Sequence, residues 1–531
     1  MCTITHRSFH GNGPITGATS GIGLALARRY AAQGDRLVLV GRRDPATLDA
    51  TFFTPARYCR VDLASPTCAA EIAAWLDAHA IAGLDVLVHN AGLGYVGALA
   101  DQPASDINTL IDVNLRAPVL LTRRLLPRMA AQGRIVFVSS LAAVMPTPDY
   151  AVYSATKAAL DSFAANLRLE LQAQRRPVHV QVIHPGATRT EMHAKSGMPA
   201  RQSRTGFADP DAVAAAIQRA VARGRRQQTI GAANRLAYHG VRLSGTLIDR
   251  LLVRRARRAS DRHGQAHDAP RDHALITGAA DGIGRALALA LARQGYAITG
   301  VDVDAARADA VTAELRALDS DATIFGADLA QHATFDALLD RIAARPPITL
   351  LVHNAGINAV GPFATVDPAR PQAVIDVNLR APLLLTRDLL RARRLEPGST
   401  VVCLASLSHF VSYPGAAVYA ATKDGLASYA RSLAPALAAD AINVLTVFPG
   451  PTRTAHARRY SPDNRREQKR MPPDELAQRI VRAVEQRRMR LIPGAGNRVF
   501  AAVGRVAPWL TGRVMQRTVF VKLIDATGDA Q

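Results

Sequence analysis

The chain has 531 residues, which at roughly 150 residues per domain predicts two to four domains, each able to bury a core. Apolar residues make up 48% and charged residues 20%, the balance of a soluble globular protein, and this excludes a mainly disordered chain. The net charge of +22 rests on sixty arginines and five lysines; it favours long-range attraction to anions, but no motif with the spacing and aromatic content of a nucleic-acid reader accompanies it, so nucleic acid is not an expected partner.

Cys2, Cys59, Cys68 and Cys403 form no C-x-x-C pair and no ligand cluster, so neither a metal site nor a disulfide framework is expected. The first residues lack the apolar core of a signal peptide, and a reducing cytoplasm fits best. Pro397–Thr422 carries no Asp, Glu, Lys or Arg, but six Ser/Thr, His409 and Pro414 argue against a membrane span.

In chain order, the first feature is a glycine turn, TGATSGIG at Thr16–Gly23, entered by Asn12-Gly13-Pro14-Ile15. HNAG follows at His89, DVNLRAP at Asp112, Tyr153-x-x-x-Lys157, PG-x-TRT at Pro185 and an Asn-Arg pair at Asn234. Residues 254–273 are charged and short of large apolar side chains, the end of a basic helix and then a linker. Beyond it the whole series returns: TGAADGIG at Thr277–Gly284, HNAG at His353, DVNLRAP at Asp376, Tyr419-x-x-x-Lys423, PG-x-TRT at Pro449 and Asn497-Arg. The offsets lie between 261 and 266 residues, too long for a solenoid, so the chain is predicted to be two copies of one domain. The expected boundaries are 1–258, a linker at 259–272, and 273–531.

In the second copy the β-branched runs AITGVDV, ATIFGADL, ITLLVHNAG, TVVCLAS and INVLTVFPG alternate with helical stretches. Buried parallel strands read this way, so each copy is predicted to be a doubly wound α/β domain of Rossmann type, with ligands beyond the carboxyl ends of the strands. A strand-to-helix glycine turn at such an end lets backbone N–H groups and the helix dipole meet a pyrophosphate.

T-G-x-x-x-G-x-G, N-A-G, a serine thirteen residues before a tyrosine, and Y-x-x-x-K together resemble the short-chain dehydrogenase/reductase family, over nearly all of both copies. The resemblance implies a nicotinamide-dependent enzyme interconverting a carbonyl and an alcohol. It implies catalytic tetrads of Asn114, Ser140, Tyr153 and Lys157, and of Asn378, Ser406, Tyr419 and Lys423. It also implies a diphosphate turn of Gly17, Gly21, Ile22 and Gly23 in one copy and Gly278, Gly282, Ile283 and Gly284 in the other. Asn90 and Asn354 would steady the sheet beside the adenosine, Asp62 and Asp328 would touch the adenine, and Thr190 and Thr454 would bind the carboxamide.

The chemistry needs these residue types. Hydride exchange at a carbonyl carbon requires a group that trades a proton with the oxygen; an ammonium one helical turn from a phenol is expected to lower the phenol's pKa, and a serine hydroxyl can bond the developing alkoxide. Lysine at both Y-x-x-x-K sites is notable in a chain with five lysines.

The copies differ in two informative places. Pro14 stands where the other copy has Leu275, and proline does not suit a central strand; either the first residues arise from a different start or frame, or the first cofactor half-site is weakened, leaving the second copy as the catalyst and the first as scaffold. At the end of strand two, Gly41 aligns with Asp302. A carboxylate there bonds the ribose hydroxyls of NAD and repels a 2′-phosphate, whereas Gly41-Arg42-Arg43 offers two guanidiniums to that phosphate. NADP is therefore expected in the first copy and NAD in the second.

After the second PG-x-TRT a basic segment with Arg458, Arg459, Arg465, Arg466, Lys469 and Arg470 could meet a carrier- or coenzyme A-linked substrate. Residues near 236–258 and 500–524 mix apolar positions with arginine, a pattern compatible with peripheral membrane contact. The doubled motifs suggest an internal pseudo-dimer.

Overall fold

The computed structural model describes residues 11–192, 196–197, 206–260, 272–331, 333–461 and 463–528. Cys2 and most of the expected linker, 261–271, lie outside the described residues.

The first sheet has seven parallel strands: β1 Asn12–Thr16, β2 Arg36–Gly41, β3 Tyr58–Arg60, β4 Leu84–His89, β5 Met129–Val138, β6 His179–His184 and β7 Gln227–Thr229, in the order β3-β2-β1-β4-β5-β6-β7. The second repeats it with β8 His273–Thr277, β9 Ala297–Asp302, β10 Ala322–Gly326, β11 Ile348–His353, β12 Leu395–Leu404, β13 Asn443–Val447 and β14 Arg490–Leu491, in the order β10-β9-β8-β11-β12-β13-β14. Strand order reverses beside β1 and beside β8, which opens a crevice at the carboxyl end of each first strand, where the glycine turns lie. Valine, isoleucine and leucine fill these strands because helices cover both faces; Ile15, Leu39, Ile276 and Ile298 are fully buried.

The proline does not abolish its strand. Pro14 pairs in register with Val38 of β2, but the ladder to β4 keeps only Ile15 opposite Val88. The equivalent ladder between β8 and β11 has three pairs, one at Leu275. A residue without an N–H cannot donate to its neighbour, and the shorter ladder lies where that donor is missing.

The polypeptide forms two compact units that cut across the repeat. One holds residues up to Val96 with Thr109–Ala143 and Leu171–His239, and contains the whole first sheet; the other holds Gly97–Asn108, Val144–Glu170 and everything from Gly240 on. Within the second unit, most of the helix Ala151–Ala173 packs on the helix Ala417–Leu437. The backbones approach closely: a Cβ at Gly425 would stand 3.0 Å from the Ala155 carbonyl oxygen, and Ser428 Oγ donates to the Ser154 carbonyl at 3.3 Å.

Candidate active site

Each glycine turn is built to admit backbone and nothing else. Gly282 has φ +53°, a conformation that disfavours a side chain, and a Cβ on Gly284 would lie 1.9 Å from the Gly278 carbonyl oxygen. Asn354 ties the turn to the sheet, its Nδ2 donating to the carbonyls of Thr277 at 3.0 Å and Gly278 at 2.9 Å. The first copy repeats this, with Asn90 Nδ2 donating to the Thr16 carbonyl at 3.0 Å and lying beside Gly23. Ile22 and Ile283 pack into their cores and hold the helices that follow, Gly21–Ala31 and Gly282–Ala292. These open, Cβ-free cradles at helix N-termini fit the diphosphate of a dinucleotide.

Thr190 and Thr454 stand against the turns: a Cβ on Gly21 or Gly282 would meet their methyl groups at 2.9 and 3.0 Å. Thr454 also caps the helix Ala455–Tyr460, accepting the Ala457 N–H at 3.1 Å. Asp62 and Asp328 follow their third strands and close tight turns, accepting the N–H of Ala64 at 3.0 Å and of Ala330 at 2.9 Å.

The ends of strand two differ as their sequences do. The Asp302 carboxylate accepts the Ala280 N–H at 2.9 Å and the Asp304 N–H at 3.2 Å, which fixes it beside the glycine turn. In the first copy Gly41 is buried against Thr19, Arg42 is exposed, and Arg43 makes an ion pair with Glu191. That glutamate is a carboxylate the sequence reading did not place there; 148 residues separate the partners, and only the fold brings them together.

The second tetrad converges. Asn378 sits in a widened helical turn, Asp376–Arg380, that interrupts an otherwise regular helix, as such turns do at functional sites. Its Oδ1 accepts the Ile357 N–H at 2.8 Å, and its Nδ2 donates to the Ile357 carbonyl at 2.9 Å and to Thr422 Oγ1 at 3.2 Å. Ser406 Oγ accepts the Ser408 N–H at 3.2 Å, and its hydroxyl lies near enough to the Tyr419 phenol to lower the phenol's pKa. Lys423 is buried, 6.0 Å from the Tyr419 ring centre, and its ammonium donates to the Leu404 carbonyl at 2.9 Å.

The expectation that lysine lowers the phenol's pKa needs correction in this arrangement. Loss of water, reinforced by Tyr413 and opposed by the Ser406 hydroxyl, pushes Tyr419 up to about 12, while burial brings Lys423 down to about 8. The ammonium is engaged by a carbonyl, and its own burial weakens the charge it could offer the phenol.

In the first copy Asn114 repeats the pattern in the turn Asp112–Arg116, accepting the Leu93 N–H and donating to the Leu93 carbonyl, both at 2.9 Å. Ser140 Oγ accepts the Ala142 N–H at 3.2 Å. Tyr153 and Lys157 lie one turn apart on the helix Ala151–Ala173, with Lys157 Nζ 5.8 Å from the Tyr153 ring centre and its pKa lowered by burial to about 8.

A family model described as short chain dehydrogenase matches residues 14–200 and again 272–465, well over half of the chain. The chain belongs to the short chain dehydrogenase family. It carries two members in tandem, and is an NAD(P)-dependent oxidoreductase acting on CH–OH groups of small molecules. It is similar to an uncharacterized short-chain type dehydrogenase/reductase, y4eK, of Sinorhizobium fredii, 37% identical over 183 residues, 34% of this chain and 70% of the relative. A short chain dehydrogenase of Pseudocercospora fijiensis is 32% identical over 189 residues, 34% of this chain and 60% of its own length. Among solved structures, a 3-ketoacyl-(acyl-carrier-protein) reductase from Brucella melitensis, complexed with NADH, is 28% identical and covers 43% of this chain and 98% of its own, with a TM-score of 0.39.

Three features of this dehydrogenase escaped the sequence. His456, in the segment after the second PG-x-TRT, stands 6.4 Å from the Tyr419 ring and is held near pKa 4 by burial and the Lys423 charge. His89 and His353, the histidines of HNAG, are buried and bond Thr122 Oγ1 at 2.8 Å and Thr386 Oγ1 at 2.7 Å, a core role that the motif had hidden. The basic segment is also largely self-satisfied: Arg458 pairs with Glu467, Arg465 with Asp463, and Arg470 bonds Ser461 and Asn464. Glu467 and Asp463 lie within the same stretch as the arginines that they pair.

Among the described residues, no group of His, Cys, Asp and Glu could hold a metal ion, and no helix is long and apolar enough to cross a membrane. Cys59, Cys68 and Cys403 are buried free thiols, raised by burial to about 12, 11 and 12.

Proposed function

We propose that the second copy reduces a carbonyl substrate with NADH, using Tyr419 as proton donor, Ser406 as the hydrogen-bond donor to the substrate oxygen, Lys423 as the ribose-side cation and Asn378 as the anchor of the proton path. The bound nicotinamide supplies the hydride to the carbonyl carbon. The observation that carries this reading is buried Lys423 one helical turn beyond Tyr419, its ammonium 6.0 Å from the phenol ring centre. A phenol at about 12 stays protonated at neutral pH, the state that donates to the oxygen of a carbonyl being reduced. Tyr153 and Lys157 of the first copy, one turn apart on their helix, are read in the same roles with NADPH.

Cofactor choice rests on Asp302 against Gly41-Arg42-Arg43. The Asp302 carboxylate is fixed by two backbone amides and still has lone pairs for ribose hydroxyls; Arg42 is exposed, and Arg43 would exchange its pairing with Glu191 for a 2′-phosphate. Titrating the full chain with NADH and NADPH by cofactor fluorescence tests this. Two sites of opposite preference are expected, and Asp302→Ser should relax only the NADH-selective one; two sites of one preference would refute it. A second reading, with the second copy alone catalytic, is favoured by the shortened ladder at Pro14.

The copies are further proposed to form an internal pseudo-dimer. Within the second unit, the Tyr413 N–H donates to Asn166 Oδ1 at 2.6 Å, and the Thr147 N–H donates to Ser432 Oγ at 3.3 Å. Thr147 and Tyr413, like Asn166 and Ser432, are repeat-related, so one contact is the other's mirror.

Peripheral contact with an anionic bilayer is proposed for the C-terminal helices. Leu510, Val514 and Val521 stand exposed along one stripe of residues 508–528. Beside them Trp509 is exposed with Arg513 stacked on it, and exposed Arg517 adds charge of the complementary sign. Sedimentation with phosphatidylglycerol vesicles at physiological salt, but not with phosphatidylcholine vesicles, is the expected result; absence from both pellets would refute the contact.

A further inference from the structure

Glu170 ends the stretch of the Tyr153 helix that belongs to the second unit, and its side chain is 2% exposed. A buried carboxylate is costly unless its oxygens are satisfied. Here one oxygen accepts the Phe363 N–H at 2.8 Å and the other the Gly415 N–H at 2.7 Å. Those amides lie on two different loops, one after β11 and one just before the Tyr419 helix. The loops also bond each other, the Gly361 N–H donating to the Gly415 carbonyl at 2.9 Å.

Two more residues on the same helix face join the contact: the Phe163 ring meets Phe363 edge-on at 5.0 Å, and Asn166 accepts the Tyr413 N–H. The C-terminal helix closes the junction, with Gln516 Nε2 donating to the Leu169 carbonyl at 2.9 Å and Leu523 packed against Gly415.

The carboxylate contact is one-sided, although Arg431 Nη1 donates to the Val144 carbonyl at 2.6 Å and Arg387 Nε to the Gln102 carbonyl at 3.0 Å. In the first copy the loop-to-loop bond has its counterpart, Gly97 N–H to the Asp149 carbonyl at 3.0 Å, and the Asn166 contact has its mirror in Ser432. The residue that corresponds to Glu170, however, is Ala436, which has no carboxylate to give.

We propose that Glu170 is a positioning residue for the second active site: a side chain supplied by the first copy's helix ties the loop that leads into the Tyr419 helix to the loop after β11, with no equivalent carboxylate on the first copy's loops. The inference rests on the reading of Tyr419 as the second copy's proton donor. It explains why a fused chain retains both copies, since the first copy's helix completes the loops of the second.

Hydrogen exchange on the full chain, with kinetics on the same samples, tests the proposal. In Glu170→Ala the Phe363 and Gly415 amides should exchange at least about tenfold faster. NADH-linked reduction should show a severalfold higher KM for the carbonyl, while NADPH-linked reduction stays within about twofold. Glu170→Gln, which keeps one carbonyl acceptor and the side chain's shape, should fall between and serves if the alanine variant does not fold. Unchanged exchange, or an equal loss of both activities, would overturn the clamp. If the wild-type chain reduces nothing with NADH, the reading of Tyr419 fails, and the exchange result alone decides whether the loops are clamped.

Discussion

Glu170 illustrates how a single residue can tie folding to pH. Loss of water raises its pKa to about 7, and the two amide bonds only partly offset that shift. Because the folded value lies above the unfolded one, the protonated carboxyl favours the native state; the contribution is complete below about 4.5 and is lost as pH rises through about 7. The Glu170 contribution alone should therefore fall between pH 5 and pH 7.5, by no more than about 3 kcal/mol at about 1.4 kcal/mol per pKa unit, against the opposite contribution of buried His89, His353 and His456, whose lowered pKa values favour the fold as pH rises. Glu170→Gln should gain stability relative to the wild type as pH rises across that range. Melting curves at the two pH values decide; an unchanged slope in the variant would assign the effect elsewhere.

Residues whose placement is set locally were legible in the sequence: Asn354 bonds its glycine turn, and Tyr419 and Lys423 stand one turn apart on a single helix. Residues whose role depends on a distant partner were not. Glu170, Glu191 and His456 have no signature, because what makes each of them matter is a contact far away along the chain. The pKa of Tyr419 was misjudged for a related reason, since spacing to Lys423 says nothing of the burial that dominates it.

Among the elements, the strands read from β-branched runs appear as β9 to β13, since buried parallel strands need those residues on both faces. The short edge strands β7 and β14, of three and two residues, complete a seven-stranded sheet in each copy, and so few residues carry no periodicity by which to place them. Pro14 weakened its strand without removing it. Pro14→Leu, the residue of the second copy, should restore a ladder bond to β4 and raise stability by about 1 kcal/mol, a gain of a few degrees in Tm; no gain would mean that the gap has another cause. The glycine turn has no such tolerance. Gly284→Val would drive its Cβ into the Gly278 carbonyl, so NADH binding in the second copy should drop at least tenfold while NADPH binding in the first persists, as read by the same fluorescence titration.

For the whole molecule, the repeat was plain from motif offsets, but the way the chain divides was not. Residues Val144–Glu170, first-copy sequence, fold within the unit that holds the second sheet, and nothing in their composition distinguishes them from a helix that stays with its own copy. If the mirrored Asn166 and Ser432 contacts make an internal pseudo-dimer, the chain should sediment as a single 56.6 kDa species; a concentration-dependent dimer assembled from like copies would contradict that. Both copies are proposed to work, each with its own cofactor. Separate Tyr153→Phe and Tyr419→Phe variants of the full chain, each assayed for NADPH and NADH oxidation against a panel of carbonyl compounds, test it most directly. Tyr419→Phe should cut NADH-linked reduction by at least about a hundredfold and spare NADPH-linked reduction, and Tyr153→Phe should do the reverse. Loss of both activities from either variant alone, or of neither, would contradict the account.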